Sequence, residues 1–256
     1  MSHSRSPELL TFHRSAPMPC PYLSDRTEQQ LFAELSGPTA DDVFNRLSKA
    51  GFRRSHHIVY RPVCHGCNAC QPVRINARKF DWTKGWRRIR NKNSDLTAIN
   101  VGLDVTQEQF DLFSRYLDAR HDDGDMAQMS ARDYLHLVIA SPVKTSVVEF
   151  RDRENKLVAA CLLDRLDDGL SAVYSFFDPR ESARSLGSYM ILWMIEDALA
   201  DDLDYVYLGF WIEGSRKMEY KNRFSPLEAF GQDGWHPLNF KTTQKDDEKA
   251  KRKKGE

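Results

Sequence analysis

Three features of the chain predict an α+β fold whose sheet is mixed but mainly antiparallel. Apolar residues recur at helical spacing over 40–50, 106–120, 133–140 and 186–199, so helices are distributed along the sequence. Between them, 147–152, 157–166 and 170–178 are β-rich runs joined by short turns, the pattern of an antiparallel meander. Tyr205–Ile212, YVYLGFWI, is almost uniformly apolar and aromatic, as a strand covered on both faces is.

Composition narrows the class. The chain of 256 residues has room for one large domain or two small ones, and five tryptophans with 14 phenylalanines argue against disorder. No apolar run is long enough to span a bilayer and the amino terminus is polar, so a cytoplasmic protein without membrane contact is expected. Five cysteines, three of them clustered, then read as thiols, metal ligands or redox groups rather than as a disulfide framework. Lys+Arg 37 and Asp+Glu 37 cancel in total but not locally: 74–92 holds eight bases and one acid, whereas 104–133 holds eight acids and three bases. A basic patch therefore lies beside an acidic one.

In chain order, 1–26 is rich in proline and reads as an extended arm carrying Cys20. Thr27-Glu28-Gln29-Gln30 has the form of a capping box and predicts a short helix with Leu31, Phe32 and Leu35 on one face, ended by Gly37-Pro38. A second helix over 40–50, with Val43, Phe44 and Leu47 inward, stops at Gly51. Strand character over 52–61 leads into Tyr60–Ile75, YRPVCHGCNACQPVRI, an ordered loop between two strands. Pro72–Phe80 alternates apolar and basic residues like a half-exposed strand, and WTKGWRRIRNKN over 82–93 interleaves indoles with guanidinium groups. That mixture suits phosphate contact combined with stacking, which nominates Arg87, Arg88, Arg90 and Lys92 as RNA contacts.

The composition shifts over 94–103, which sets the expected division: an amino-terminal domain of 1–100, a carboxy-terminal domain of 101–240 and a charged, disordered tail of 241–256. Helix 106–120 carries Phe110, Phe113, Tyr116 and Leu117 inward, and an acidic loop over 121–130 precedes helix 133–140. After the meander, helix 186–199 presents Leu186, Tyr189, Met190, Trp193, Met194 and Leu199 to the core. Strand 205–212, a helical stretch with Lys217 and Lys221, and a last strand over 226–235 complete the order.

Helix, helix, meander, helix, strand, helix, strand is the order of an acetyltransferase-like (GNAT) domain. In that fold the turn before the helix that follows the meander binds a pyrophosphate. Here it reads Arg184-Ser185-Leu186-Gly187-Ser188-Tyr189. Arg184 and Gly187 fit an anion held by backbone N–H groups. Tyr189, in place of a small residue, counts against a coenzyme A-dependent acetyltransferase and favours another large phosphate-bearing donor.

PCPYL around Cys20, FRRSHHIVYRPVCHGCNACQPVRI at 52–75, WRRIRNKN, YSFFDPR at 174–180, SLGSY at 185–189, YLGFWI at 207–212 and KMEYKNRFSPLE at 217–228 together resemble the arginyl-tRNA–protein transferase family, and within it the bacterial leucyl-transferring branch. The resemblance implies an enzyme with an amino-terminal family domain and an acetyltransferase-like domain. It would move leucine from Leu-tRNA to the amino terminus of proteins beginning with Asp or Glu, marking them for degradation; arginine as donor is the alternative. Its partners would be aminoacyl-tRNA and the acidic acceptor.

Attack of an α-amine on an activated ester needs no cofactor and little acid–base help, since an α-amine has a pKa of about 7.7. Asp178, Tyr207 and Tyr220 are the candidates for proton relay or oxyanion support. An acidic acceptor requires cations, and Arg53, Arg54, Arg74, Lys217 and Lys221 stand within the resembling stretches. Phe176, Phe210 and Trp211 are available to line an apolar leucyl pocket or to fill the core. Cys20, Cys64, Cys67 and Cys70 are enough thiolates for zinc or an iron–sulfur cluster, with His65 as a spare ligand. Thiols without metal are the other reading, and a non-catalytic zinc-binding RNA-interaction module is the alternative to an enzyme.

Overall fold

The computed structural model describes residues 10–120 and 129–238. The expected acidic loop at 121–130 falls mostly outside the described residues, and the charged tail from Lys241 wholly so. An eight-stranded sheet dominates, with order β14-β13-β7-β12-β11-β10-β9-β8. Its centre is the expected meander, β9 (Thr145–Arg151), β10 (Leu157–Arg165) and β11 (Gly169–Phe177), all antiparallel. Helix α5 (Leu186–Ala200) then carries the chain over to β12 (Tyr205–Trp211), which pairs with β11 in parallel. This is the acetyltransferase-like arrangement. Met190, Leu192, Ile195 and Ala198 of α5 are fully buried against the sheet, while Leu199, expected inward, is 37% exposed at the helix end.

The sheet extends across the expected boundary near residue 100. Strand β7 (Gln71–Asn76) lies between β12 and β13 (Leu227–Gly231), and β8 (Thr97–Asn100) forms the far edge against β9. β7 is not half-exposed, since Val73, Arg74 and Ile75 are all buried. Arg74 is accommodated there because Nε pairs with Glu228 at 2.8 Å and its guanidinium lies 3.5 Å from the Tyr205 ring centroid and 4.3 Å from that of Trp235. The last expected strand is instead a hairpin, β13 with β14 (Gly234–Pro237), turned at Gly231–Gly234.

A smaller four-stranded sheet carries the amino-terminal part, in the order β1 (His13–Arg14), β4 (Gln30–Glu34), β6 (Ile58–Pro62), β5 (Arg53–Ser55). The predicted helix at 27–35 is therefore a strand. Residues 30–34 pair along the whole of β6, and burial of Ala33 and Leu35 against Phe44 of α1 (Ala40–Lys49) and Val59 outweighs the local capping signal. The two sheets meet at Arg54, whose guanidinium makes two 2.7 Å bonds to Asp164 with both side chains buried.

Helices α3 (Gln107–Arg120) and α4 (Ala131–Ile139) cover one face of the meander through Leu112, Phe113, Leu117, Tyr134 and Val138. The basic run forms α2 (Lys84–Lys92), capped by Thr83 and anchored by Trp86, which stacks on Phe224 at 4.5 Å. Trp86 is thus a core residue under a basic rim rather than a stacking platform. Among the described residues, no helix is long and apolar enough to cross a membrane.

Candidate active site

Strands β11 and β12 pair only at Gly169–Ser171 with Tyr205–Tyr207. Beyond that they part, β11 staying with β10 and β12 with β7, so the sheet opens into a gap. A parted pair leaves backbone carbonyls without ladder donors, and these require other partners. Two basic side chains supply them. Arg53 from β5 donates to the Ala172 carbonyl at 3.2 Å, on the β11 side, and Lys221 Nζ donates to the Phe210 carbonyl at 2.5 Å, on the β12 side.

Arg53 fits because β12 gives way. The register shifts between Tyr207 and Gly209, and Gly209 adopts φ +75°. A Cβ at Gly209 would lie 2.3 Å from the Arg53 Cζ. The guanidinium also sits 5.9 Å from the Phe210 ring centroid, and among the described residues no carboxylate lies within ion-pair distance of it. A half-buried guanidinium without a carboxylate is a ready site for one.

Aromatic side chains gather round this centre. Tyr60 pairs with Arg53 across β5–β6 and packs edge-on to Phe210 at 6.0 Å. Burial raises the pKa of Tyr22, with Tyr60 adding to the effect and Arg53 opposing it. Tyr220 is 42% exposed, and burial raises its pKa, Arg53 again opposing and Tyr116 adding. Tyr116 packs on Phe177 at 5.0 Å, and Phe177 backs Gly187 at the start of α5. Ser185 there is left-handed and supplies no side-chain cap to the helix. The gap is thus bordered by Arg53, Lys221, Tyr60 and Phe210, with the α5 start beyond the end of β11.

The other candidates lie elsewhere or are already engaged. Arg54 and Arg74 brace the framework, Arg54 with Asp164 and Arg74 with Glu228 and the Tyr207 hydroxyl. Tyr207 in turn donates to Asp168 at 3.1 Å. Asp178 is fully buried and caps the 179–184 turn, where the Arg180 hydrogen bond holds its carboxyl below the usual range. Lys217 is exposed on the loop after β12. Phe210 borders the gap, whereas Phe176 and Trp211 belong to the core.

On α2, Arg87 and Arg88 are exposed, and Arg90 pairs with Glu196 at 3.0 Å and lies over Trp82. Lys92 donates to the Ala183 carbonyl at 2.6 Å, Asn93 to that of Arg184 at 3.0 Å, and Arg184 returns bonds to Asn93 and Asp95. These bonds join the carboxy-terminal end of the basic helix to the turn that starts α5.

The thiols share a neighbourhood on the amino-terminal side. Burial, then Cys64, Cys20 and Cys67, push Cys70 up to about 12. Cys64 Sγ meets the Gln29 backbone, accepting from its N–H at 3.5 Å and donating to its carbonyl at 3.7 Å. Among the described residues, no three Cys, His, Asp or Glu side chains are placed to hold one ion.

Gly209 is the site residue that sequence reasoning passed over. A lone glycine inside an otherwise apolar strand was its signal, because such a residue marks a bulge or a close approach.

A parted mixed sheet with basic side chains at its apex and a helix start at its mouth is the architecture of the acetyltransferase-like class. Comparison with known proteins makes this specific. Residues 18–88 match the family model "Arginine-tRNA-protein transferase, N terminus" and 108–231 match "Arginine-tRNA-protein transferase, C terminus". The chain is 54% identical over 224 residues to the aspartate/glutamate leucyltransferase of Paramagnetospirillum magneticum, covering 88% of this chain and 92% of that protein. It is 48% identical over 240 residues to the one of Granulibacter bethesdensis, covering 94% and 90%. Solved structures are more distant: L-PGS from Bacillus licheniformis is 12% identical with TM-score 0.46, covering 59% of this chain and 49% of that one. The chain belongs to the arginine-tRNA-protein transferase family.

Proposed function

We propose that this protein transfers leucine from Leu-tRNA to the amino terminus of proteins that begin with Asp or Glu. The observation that carries the acceptor reading is Arg53, a half-buried guanidinium held at the apex of the gap with no carboxylate partner among the described residues. An acidic first side chain supplies that partner and places the neighbouring α-amine in the gap. The amine attacks the ester carbonyl, the C–N bond forms, the C–O bond to the tRNA ribose breaks, and the amine's proton ends on the departing hydroxyl. Of the three relay candidates, Tyr220 alone has a pKa on which the Arg53 charge bears, opposing the rise that burial causes. The donor is supported by the names of the relatives and by the basic helix leading to the gap. Labelled Leu-tRNA and, separately, Arg-tRNA are to be offered with peptides beginning with Asp, Glu or Asn. Transfer of leucine to the Asp and Glu peptides alone is expected. Silence with both donors overturns the reading, and transfer from Arg-tRNA alone replaces leucine by arginine.

The donor surface has its own test. Arg87 and Arg88 lie exposed on α2, continuous with the α5 start, and are assigned to the tRNA backbone. Each phosphate contact contributes roughly 0.7–0.9 to the slope of log K against log salt. Arg87→Gln with Arg88→Gln is expected to lower that slope by about 1.5 and to weaken binding of charged and uncharged tRNA alike. An unchanged slope removes α2 from the interface.

A further inference from the structure

Lys221 is a cation by composition but does not sit like one. It is 3% exposed, and the charge that bears on it is another cation, Arg53, not a carboxylate. Its Nζ reaches the Phe210 carbonyl at 2.5 Å and the Met218 Sδ at 3.4 Å. An ammonium brings three N–H donors, whereas a neutral amine brings two and a lone pair. One carbonyl and one weak thioether acceptor match the neutral amine. An unpaired buried ammonium would be held only at a heavy desolvation cost. Burial, and then the Arg53 charge, bring its pKa from the usual lysine range down to about 7.

Its position gives that amine a use. The bond to Phe210 fixes Nζ on the β12 wall of the gap, and Arg53 spans from the same strand's bulge to Ala172 on the other wall. The carboxylate and α-amine of an N-terminal Asp or Glu belong to one residue, so pairing the first with Arg53 brings the second into this neighbourhood. Resting on the acceptor reading above, we propose that Lys221 is the catalytic base of the transfer, accepting the proton that the acceptor α-amine sheds as it attacks the ester. The nitrogen forms its bond to the carbonyl carbon and passes one proton to Lys221 Nζ. The ester C–O bond breaks, and the Lys221 ammonium returns that proton to the ribose oxygen. No proton is gained or lost overall. A charged acceptor carboxylate on Arg53 also offsets the repulsion between the two cations while Lys221 holds the proton. Lys221 therefore acts on the amine and not as a clamp on the acidic side chain.

The experiment uses the full chain with Leu-tRNA and an Asp-initiated peptide, both saturating, and follows the single-turnover rate from pH 5.5 to 9. The wild type is expected to show a rise through about pH 7, the range in which Lys221 loses its proton. Lys221→Met is expected to move that rise up to about pH 7.7, where the acceptor α-amine itself loses its proton, and to lose on the order of 100-fold in rate, with peptide affinity within about twofold of wild type. Lys221→Ala is expected to regain rate with added methylamine in proportion to the unprotonated amine present. Lys221→Met with the wild-type pH profile and a rate within threefold overturns the assignment. So does a loss that appears equally in peptide affinity and is not restored by methylamine. A wild-type enzyme inactive with Leu-tRNA overturns the underlying function instead, and this base with it.

Discussion

Gly209→Ala is expected to abolish transfer, with a loss of at least about 100-fold in kcat/KM for an Asp-initiated peptide while the protein stays folded. Two effects act together. Gly209 holds φ +75°, where a Cβ costs roughly 1–2 kcal/mol. That Cβ would also stand 2.3 Å from Arg53 Cζ, so the guanidinium must leave its place between the Ala172 carbonyl and the Phe210 ring. A displacement of this size at the group that orients the acceptor is what positioning catalysis cannot tolerate. Gly102→Ala separates the two effects, because Gly102 has φ +63° with nothing within 4 Å of its would-be Cβ. It carries the strain without the intrusion and is expected to keep activity. Measuring both variants with circular dichroism and steady-state kinetics checks the argument. Retention by Gly209→Ala of a tenth or more of wild-type activity would detach Arg53 from acceptor binding.

The same region shows what was legible in the sequence. The helices α1, α3, α4 and α5 and strands β9–β12 follow their apolar periodicity, because each buries a face that the spacing marks out. The failures occurred where tertiary pairing decided the outcome. Residues 30–34 carry a helix-start signal, yet β6 offers them a full ladder. The Gly231–Gly234 turn, GQDG, marked a hairpin within a run taken for one strand. β7 alternates apolar and basic residues like a surface strand, and it takes Glu228 and the rings of Tyr205 and Trp235 to make its arginine a core residue. For the site, the sequence named Arg53 and Arg54 together as cations. Strand character over 52–61 already puts them on opposite faces, but only the packing of β5 shows which face meets the gap and which meets Asp164. Neighbours on a strand point to opposite faces, so one arginine reaches the gap and the other reaches Asp164.

Arg54 then carries the second large expectation, which concerns stability. Its guanidinium and the Asp164 carboxylate are fully enclosed, joined by two bonds of 2.7 Å, with Thr145 Oγ1 2.6 Å from the carboxylate and the His56 carbonyl 2.6 Å from the guanidinium. Removing one partner leaves a charge buried with nothing opposite, which costs about 3–5 kcal/mol. Asp164→Ala is therefore expected to lower the unfolding free energy by that amount in a urea titration. Arg54→Met with Asp164→Leu, which removes both charges and restores apolar volume, is expected to recover most of it. The functional consequence follows from the strand. β5 carries Arg53 next to Arg54, so loosening the buried pair lets β5 shift against β10 and takes Arg53 out of register with the gap. The single variant should accordingly lose transfer as well as stability, and the double variant should regain transfer in step with its stability. A loss below about 1 kcal/mol in Asp164→Ala would show that the two sheets are held together by other contacts. Activity that stays lost in a restabilised double variant would mean that Arg54 serves the acceptor directly.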